Sequence, residues 1–212
     1  MEGVTTVSNV LNKDLMKRLY AISMFDGHLM MNGRHKNATL VINMLEANAD
    51  YLDMAVTALE SAGIGHHLSR PAIYQKDGYK RQQQLRLQSK AHPTLTKIFN
   101  RIYIQKHKVV DPHMLTMMDE EMLAIMFMAD GSRSVDKRWE KAKPTYRLHL
   151  NSLSYGDLML IKKSLKAVFN LEINAVKKGS GYDLSVPTKH SEFFELLVDP
   201  FVLPSFQYKL GR

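Results

Sequence analysis

The stretches LYAISMFDG (Leu19–Gly27) and LAIMFMADG (Leu123–Gly131) share one pattern within a chain of 212 residues. Each is apolar, has an alanine near its start, lacks charge along its length and ends in Asp-Gly. Asp26 and Asp130 lie 104 residues apart, which is about half the chain. Self-similarity at so wide a spacing indicates an internal duplication.

The sequence that follows each stretch repeats in the same order. A polar, basic segment precedes a strand pattern, ATLVINMLEA in the first half and TYRLHLNS in the second. An amphipathic helix comes next, over Ala49–Gly63 and Ser154–Asn170, and each half closes with a hairpin and a third helix. We therefore predict an α+β fold of two pseudo-symmetric αββαββα units in one chain, over residues 1–113 and 114–212.

Turn and cap residues place the boundaries of these elements. The hairpin AIYQKDGYKRQQQLRLQS is predicted to turn at Asp77-Gly78, and its counterpart LEINAVKKGSGYDLSVP around Gly179. Asn48 and Ser154 are predicted N-caps of the amphipathic helices, and Gly63 is a predicted helix stop.

Charge and composition narrow the function. The chain has 29 Lys and Arg against 21 Asp and Glu, a net charge of +8, which favours a polyanionic partner such as DNA, RNA, heparin or an anionic membrane surface. It has no cysteine, which excludes disulfides, thiol nucleophiles and cysteine-based metal sites. No apolar run approaches the roughly 18 residues of a membrane span, so we expect a soluble, intracellular protein of undetermined compartment.

The two Asp-Gly ends indicate a metal site. A carboxylate at the C-terminal end of a helix opposes the helix dipole by about 0.3–1 kcal/mol, so two matched occurrences suggest a functional reason. If the helices run side by side, Asp26 and Asp130 would share a divalent cation, Mg²⁺ with Mn²⁺ as a substitute. The alternative is that Asp-Gly merely ends a helix, with Gly27 and Gly131 as left-handed caps.

The paired stretches and the order of elements resemble the LAGLIDADG motifs of single-chain homing endonucleases through nearly the whole chain. The resemblance implies that the two motif helices pack together at the interface between the units. It implies that Asp26 and Asp130 are metal-binding catalytic acids, one for each DNA strand, with Gly27 and Gly131 beside them in the metal site. The first copy departs from the family pattern at Tyr20, Ser23 and Phe25.

A lysine closes each half. The chain ends in SFQYKLGR, and its Lys209 matches a lysine that single-chain members of this family similarly carry in the active site. Its expected first-half counterpart is Lys108, with Lys106 as the alternative. A lysine near the scissile phosphate would stabilise charge that develops in the transition state. The ordinary alternative for each lysine is a solvated surface side chain.

The strand patterns predict a DNA-reading face on each unit. Alternation turns Leu85, Leu87, Leu148 and Leu150 inward. Polar side chains suited to base edges in the major groove then face outward: Gln82, Gln84, Arg86, Arg147, His149 and Asn151. Residues of the hairpin tips and of the loops after the motifs are predicted to contact phosphates: Arg34, Lys36, Lys76, Tyr79, Lys80, Arg81, Arg133, Lys137, Arg138, Lys177 and Lys178.

The family resemblance, together with the basic charge and the paired acids, implies a monomeric, site-specific endonuclease. It would make a double-strand break in a long, asymmetric duplex target by metal-dependent phosphodiester hydrolysis. Two alternatives use the same fold: an intron-encoded maturase that binds its host intron RNA, and a DNA-binding protein without cleavage. The sequence lacks the HExxH zinc motif, the G-x-S-x-G elbow and phosphate-binding glycine loops, which argues against other enzyme classes.

Overall fold

The structure, a computed structural model, describes residues 13–31, 33, 36–72, 82–136 and 143–212. The first unit consists of α1 (Lys13–Phe25), β1 (His28–Met30), β2 (Thr39–Leu45), α2 (Ala49–Ser61), β3 (His66–Ser69), β4 (Gln84–Ser89) and α3 (Pro93–Ile102). A joint follows, with β5 (Tyr103–Ile104), β6 (His107–Lys108) and α4 (Pro112–Leu115). The second unit consists of α5 (Glu120–Asp130), β7 (Gly131–Ser134), β8 (Thr145–Leu148), α6 (Tyr155–Phe169), β9 (Asn174–Lys178), β10 (Gly181–Val186) and α7 (Ser191–Val198). Four short 3₁₀ turns complete the described elements: Glu46–Asn48, Thr188–His190, Asp199–Phe201 and Pro204–Leu210.

Each unit contains one four-stranded antiparallel sheet. The strand order is β1-β2-β4-β3 in the first unit and β7-β8-β10-β9 in the second, so the two topologies match strand for strand. The side chains predicted to face inward do so, since Leu85, Leu87, Leu148 and Leu150 are all buried. The predicted pair of pseudo-symmetric αββαββα units is therefore confirmed.

The two motif helices form the centre of the molecule. Every residue from Met122 to Met128 of α5 is buried, as expected for a helix surrounded on all sides by protein. Helix α1 packs directly against α5. Near the start of both helices, Lys17 pairs with Asp119, and Arg18 Nε lies 2.7 Å from Glu121 Oε1. Because their N-terminal ends meet in this way, the helices run in the same direction and their Asp-Gly ends emerge together.

Each unit's closing segment is bonded to the other unit. Val110 N–H donates to Asp157 Oδ1 of the second unit at 2.9 Å. In the reverse direction, Ser205 N–H donates to Asp50 Oδ2 of the first unit at 3.0 Å. Helix α4 straddles the proposed division at residue 113 and packs against both α1 and α6. These contacts tie the duplicated halves into one body.

Three local features differ from or refine the sequence prediction. The first arm of the first-unit hairpin was predicted from Ala72, but strand β3 lies earlier, at His66–Ser69, and the predicted Asp77-Gly78 turn lies outside the described residues. The strand HHLS contains one apolar residue, Leu68, which is exposed at the sheet edge, so it carries no period-two signal. The Ser154 cap is confirmed, whereas the Asn48 side chain makes no cap hydrogen bond.

The motif glycines allow neighbouring atoms to pack closely against the backbone. Gly63, in contrast, is the predicted helix stop and has a left-handed conformation, with φ +68°. Gly131 has φ −89° and ψ 151°, an extended conformation that any residue adopts. A Cβ at Gly131 would lie 2.1 Å from Phe127 Cδ2 and 2.3 Å from Phe127 O. A Cβ at Gly27 would lie 2.6 Å from Leu40 Cδ1. Neither Gly27 nor Gly131 is among the described glycines with positive φ, so the alternative interpretation of both as left-handed caps is wrong.

We expect Gly131→Ala to destabilise the protein by about 3 kcal/mol or more, because the backbone carbonyl of Phe127 cannot move aside without breaking the helix end. Gly27→Ala should cost less, since its nearest neighbour is the end of the Leu40 side chain. Gly33→Ala is the matched control, because no atom of the other described residues lies within 4 Å of the added Cβ. Urea unfolding curves of the three variants test this order, and equal stabilities of the Gly131 and Gly33 variants would contradict it.

Candidate active site

Asp26 and Asp130 lie at the end of the helix pair, where the charges of the same two lysines act on both carboxyl groups. Burial and then the charge of Asp130 raise the pKa of Asp26 from 3.8 to about 6, while Lys108 and Lys209 oppose that shift. Burial also raises the pKa of Asp130, against the same two lysines. Both carboxyl groups are therefore partly desolvated, and this disfavours their charged form. Such perturbed pairs of acids are typical of functional sites.

The predicted lysines reach the same place from both halves. Lys108 Nζ donates to Met24 O at 3.0 Å and to Gly27 O at 2.7 Å, on either side of Asp26. Lys209 Nζ donates to Met128 O at 2.6 Å, just before Asp130. Burial lowers the pKa of both lysines, and the two aspartates partly restore it. The interpretation of Lys108 and Lys209 as solvated surface side chains is thus wrong.

A short hairpin that the sequence did not predict positions Lys108. Strands β5 and β6 are joined by Gln105 and Lys106, whose φ angles are +49° and +69°. Positive φ at both central residues is the geometry of a tight type I′ turn, which usually contains Asn or Gly. Lys106 is exposed at the tip of this turn, whereas Lys108 points back toward the end of α1. The structure therefore brings Lys108, and not Lys106, to the acids.

Two buried polar atoms in this region lack hydrogen-bond partners among the described residues, and one of them belongs to Tyr51, which was not predicted from the sequence. Asp26 Oδ2 is buried and has no hydrogen-bond partner among the residues that the structure describes. The hydroxyl of Tyr51 on α2 is also buried without a partner, and its pKa is raised by burial and by the charges of Asp26 and Asp130. An unpartnered buried polar atom is costly, by about 1–3 kcal/mol, unless a ligand or water completes it. The site therefore has unused hydrogen-bonding and coordinating capacity.

The carboxylate oxygens of Asp26 and Asp130 are suited to binding a hard divalent cation between them. Across residues 13–31, 33, 36–72, 82–136 and 143–212, no group of three or more His, Cys, Asp or Glu residues could hold a metal by itself. Two carboxylates with a free oxygen suit Mg²⁺ or Mn²⁺, which keep several waters and take substrate phosphates as further ligands. Gly27 O is occupied by the Lys108 ammonium, so the carboxylates are the better ligands.

The outer faces of the two sheets carry the polar residues of the predicted reading surface. Gln84, Arg147, Asn151 and Lys177 are exposed, and Arg86 is partly exposed. Further predicted contacts are also placed at the surface: Lys36, Gln82 and Lys178. Seven predicted contact residues lie outside the described part of the chain: Arg34, Lys76, Tyr79, Lys80, Arg81, Lys137 and Arg138.

Arg133 is placed differently from the other predicted DNA contacts. It is the cross-strand partner of Tyr146, whose ring packs with Phe127 and Phe194 on the helix side of the sheet. Directly opposed residues of antiparallel strands share a face, so Arg133 also points to the helix side. Its guanidinium lies near Gly211 at the C-terminal end of the chain. We therefore leave Arg133 out of the reading surface.

Comparison with known proteins identifies the class. The model of the LAGLIDADG DNA endonuclease family matches residues 22–194, and the chain belongs to this family. The enzyme class is therefore that of DNA endonucleases, which hydrolyse phosphodiester bonds. In the part of the chain that the structure describes, no helix is both long and apolar enough to cross a membrane.

Individual relatives are distant in sequence, and one solved homing endonuclease shares the fold of this chain. The chain is 22% identical to the probable intron-encoded endonuclease 1 of Wickerhamomyces canadensis over 97% of this chain and 82% of that protein. It is 22% identical to the cytochrome b mRNA maturase bI2 of Saccharomyces cerevisiae, over 95% of this chain and 48% of the maturase. The DNA-bound homing endonuclease I-WcaI has a TM-score of 0.78 at 21% identity, over 94% of this chain and 87% of the other.

Proposed function

We propose that this chain is a monomeric homing endonuclease that cuts both strands of one long, asymmetric duplex DNA site. The observation that carries the proposal is the convergence of Asp26, Asp130, Lys108 and Lys209 from two halves of one chain at the end of the helix pair. A single chain with two matched half-sites does not need a second copy to act on two strands. The unlike side chains of the two sheets suit an asymmetric target.

The chain's own residues position the reaction. Asp26 and Asp130 would hold Mg²⁺, with Mn²⁺ as a substitute, and a bound cation supplies Lewis-acid stabilisation of the phosphate and lowers the pKa of an attacking water. Lys108 and Lys209 would place positive charge beside the two scissile phosphates. The outer faces of the sheets would read base edges, and the surrounding lysines and arginines would contact phosphates.

Cleavage of a randomised target library tests this proposal. The full chain is incubated with the library in Mg²⁺ or Mn²⁺, and the cut ends are sequenced. We expect one strongly preferred duplex site, and no cutting when the metal is chelated. Absence of cutting over a comprehensive library, in the presence of salt-sensitive DNA binding, would overturn the endonuclease activity.

We expect Lys108→Met and Lys209→Met each to lower kcat by about 100-fold, because each removes a positive charge beside one scissile phosphate. Methionine keeps most of the stem, while the lost bonds to helix-end carbonyls should cost about 1 kcal/mol of stability. Lys106→Met at the exposed turn is the matched control. Single-turnover cleavage rates test the prediction, and equal rates for the Lys106 and Lys108 variants would contradict it.

RNA binding is a second candidate function, favoured by the match to the yeast cytochrome b mRNA maturase along 95% of this chain. The partner would be a structured host intron RNA, and both activities would act inside the cell. An electrophoretic assay with candidate intron transcripts, together with a splicing reaction, tests it. Splicing that is accelerated by the native chain and unaffected by Asp26→Asn would establish an activity separate from cleavage.

A further inference from the structure

A histidine beside Asp130 pairs with a buried carboxylate. His149 Nδ1 lies 2.8 Å from Asp183 Oδ2, and His149 Nε2 lies 2.7 Å from Ser132 Oγ. Asp183 is only 1% exposed, and within the described part of the chain its second carboxylate oxygen is buried without a partner. Lys178 Nζ lies 3.4 Å from the same carboxylate. Both ring nitrogens of His149 are thus engaged within the protein, which leaves neither free to read a base.

The pair lies on the face of the second sheet that we assign to DNA. Leu148 and Leu184 are buried on the helix side and are cross-strand partners. Successive residues of a strand alternate between faces, so the next pair along, His149 and Asp183, points outward. An uncompensated carboxylate on this face would repel a phosphate. Here the Asp183 charge is covered by the imidazole and by Lys178.

His149 holds the end of the motif helix at two points. Its backbone N–H donates to Asp130 O at 2.8 Å, and its ring is bonded to Ser132 Oγ, on the other side of Gly131. His149 therefore contacts both ends of the segment Asp130–Ser132, which carries the acid. We call this pair of contacts the bracket. Asp183, on the neighbouring strand, fixes the orientation of the His149 ring. Carboxylates commonly orient functional imidazoles in this way.

The first unit has different residues at the equivalent positions. The motif spacing and the strand registers match His28 with Ser132, Asn43 with His149 and Arg86 with Asp183. Asn43 and Arg86 cannot form an imidazole–carboxylate pair. The His28 ring instead lies 3.3 Å from the Tyr103 hydroxyl. The bracket is therefore specific to the Asp130 side of the site.

We propose that His149, oriented by Asp183, is a positioning residue for Asp130, so that loss of either side chain slows cleavage of one DNA strand selectively. This inference rests on the proposed endonuclease function. Under this proposal, cleavage of one strand requires His149 and Asp183, whereas cleavage of the other strand does not. A defect in the bracket would leave the strand that depends on Asp26 cut at its normal rate and would convert supercoiled plasmid into nicked circles.

Strand-resolved cleavage of an end-labelled duplex tests this inference. His149→Ala and Asp183→Ala should slow one strand by about 10–100-fold in kcat, with little change in the Kd for DNA. Asp183→Asn keeps an oxygen that accepts from the ring and should restore part of the loss. Leu165→Ala, in the buried face of α6, is a general destabilisation control that should not change the ratio of the two strand rates.

The possible outcomes separate the two proposals. Selective loss of one strand in the His149 and Asp183 variants, with partial rescue by Asn, supports the bracket. Cutting of both strands by the native chain with an unchanged strand ratio in the variants would overturn the bracket and leave the endonuclease function standing. A native chain that binds DNA and cuts neither strand would overturn both.

Discussion

Asp26→Asn and Asp130→Asn are each expected to lower double-strand cleavage by about 1,000-fold or more while DNA binding is retained. The reason is that each variant removes one of two carboxylates that the structure places in the same desolvated site, between Lys108 and Lys209. Loss of even one group that stabilises transition-state charge costs about 10²–10³ in kcat, and a shared metal would lose a ligand as well.

Plasmid cleavage with metal in excess, together with anisotropy measurements of DNA affinity, checks this expectation. Asp53→Asn, an exposed position on α2, is the control for removing one negative charge from the same chain. Retention of full double-strand cutting by either the Asp26 or the Asp130 variant would show that the acid is dispensable and would contradict the assignment.

The same Asp26→Asn variant should be more stable than the native chain at neutral pH in the absence of metal. The pKa of Asp26 is raised from 3.8 to about 6 in the folded state, so the folded state binds the proton more tightly than the unfolded state does. The free energy of unfolding should therefore fall as the pH rises from about 4 to about 6, and the full penalty should remain above that range. A difference of about two pKa units sets the upper limit near 3 kcal/mol.

Urea unfolding of both proteins between pH 4 and pH 8 measures this effect. We expect the stability difference to vanish near pH 4, to grow through pH 6 and to shrink again when Mg²⁺ is added to the native chain. A difference between the two proteins that does not change with pH would mean that Asp26 is not held in a desolvated site. The prediction links loss of activity to gain of stability in a single side chain.

The motif helices could be predicted because their evidence is local and occurs twice. The repeated apolar runs that end in Asp26-Gly27 and Asp130-Gly131 predicted both helices and the two candidate acids, and the family resemblance predicted that the helices pack together. The Ser154 cap was equally readable, because a serine before a 3.6-residue apolar pattern has a single simple interpretation. Where one strong physical preference acts on a short segment, the sequence suffices.

The remaining features depend on contacts that are distant in the chain. Strand β3 is an exposed edge that is held by backbone pairing to β4, so its side chains carry no pattern. The turn at Gln105–Lys106 adopts positive φ in non-glycine residues, against local preference, in the hairpin that brings Lys108 to α1. In the sequence, Asp183 cannot be distinguished from any other outward-facing strand residue. Only the strand register shows that it lies opposite His149.

Anomalous diffraction from a crystal of the full chain with its cleaved DNA site and Mn²⁺ tests the shared metal site most directly. We expect anomalous peaks within about 2.1 Å of carboxylate oxygens of Asp26 and Asp130, with DNA phosphate oxygens among the other ligands. Peaks that lie elsewhere on the protein, with both carboxylates bare beside the cut phosphates, would contradict it.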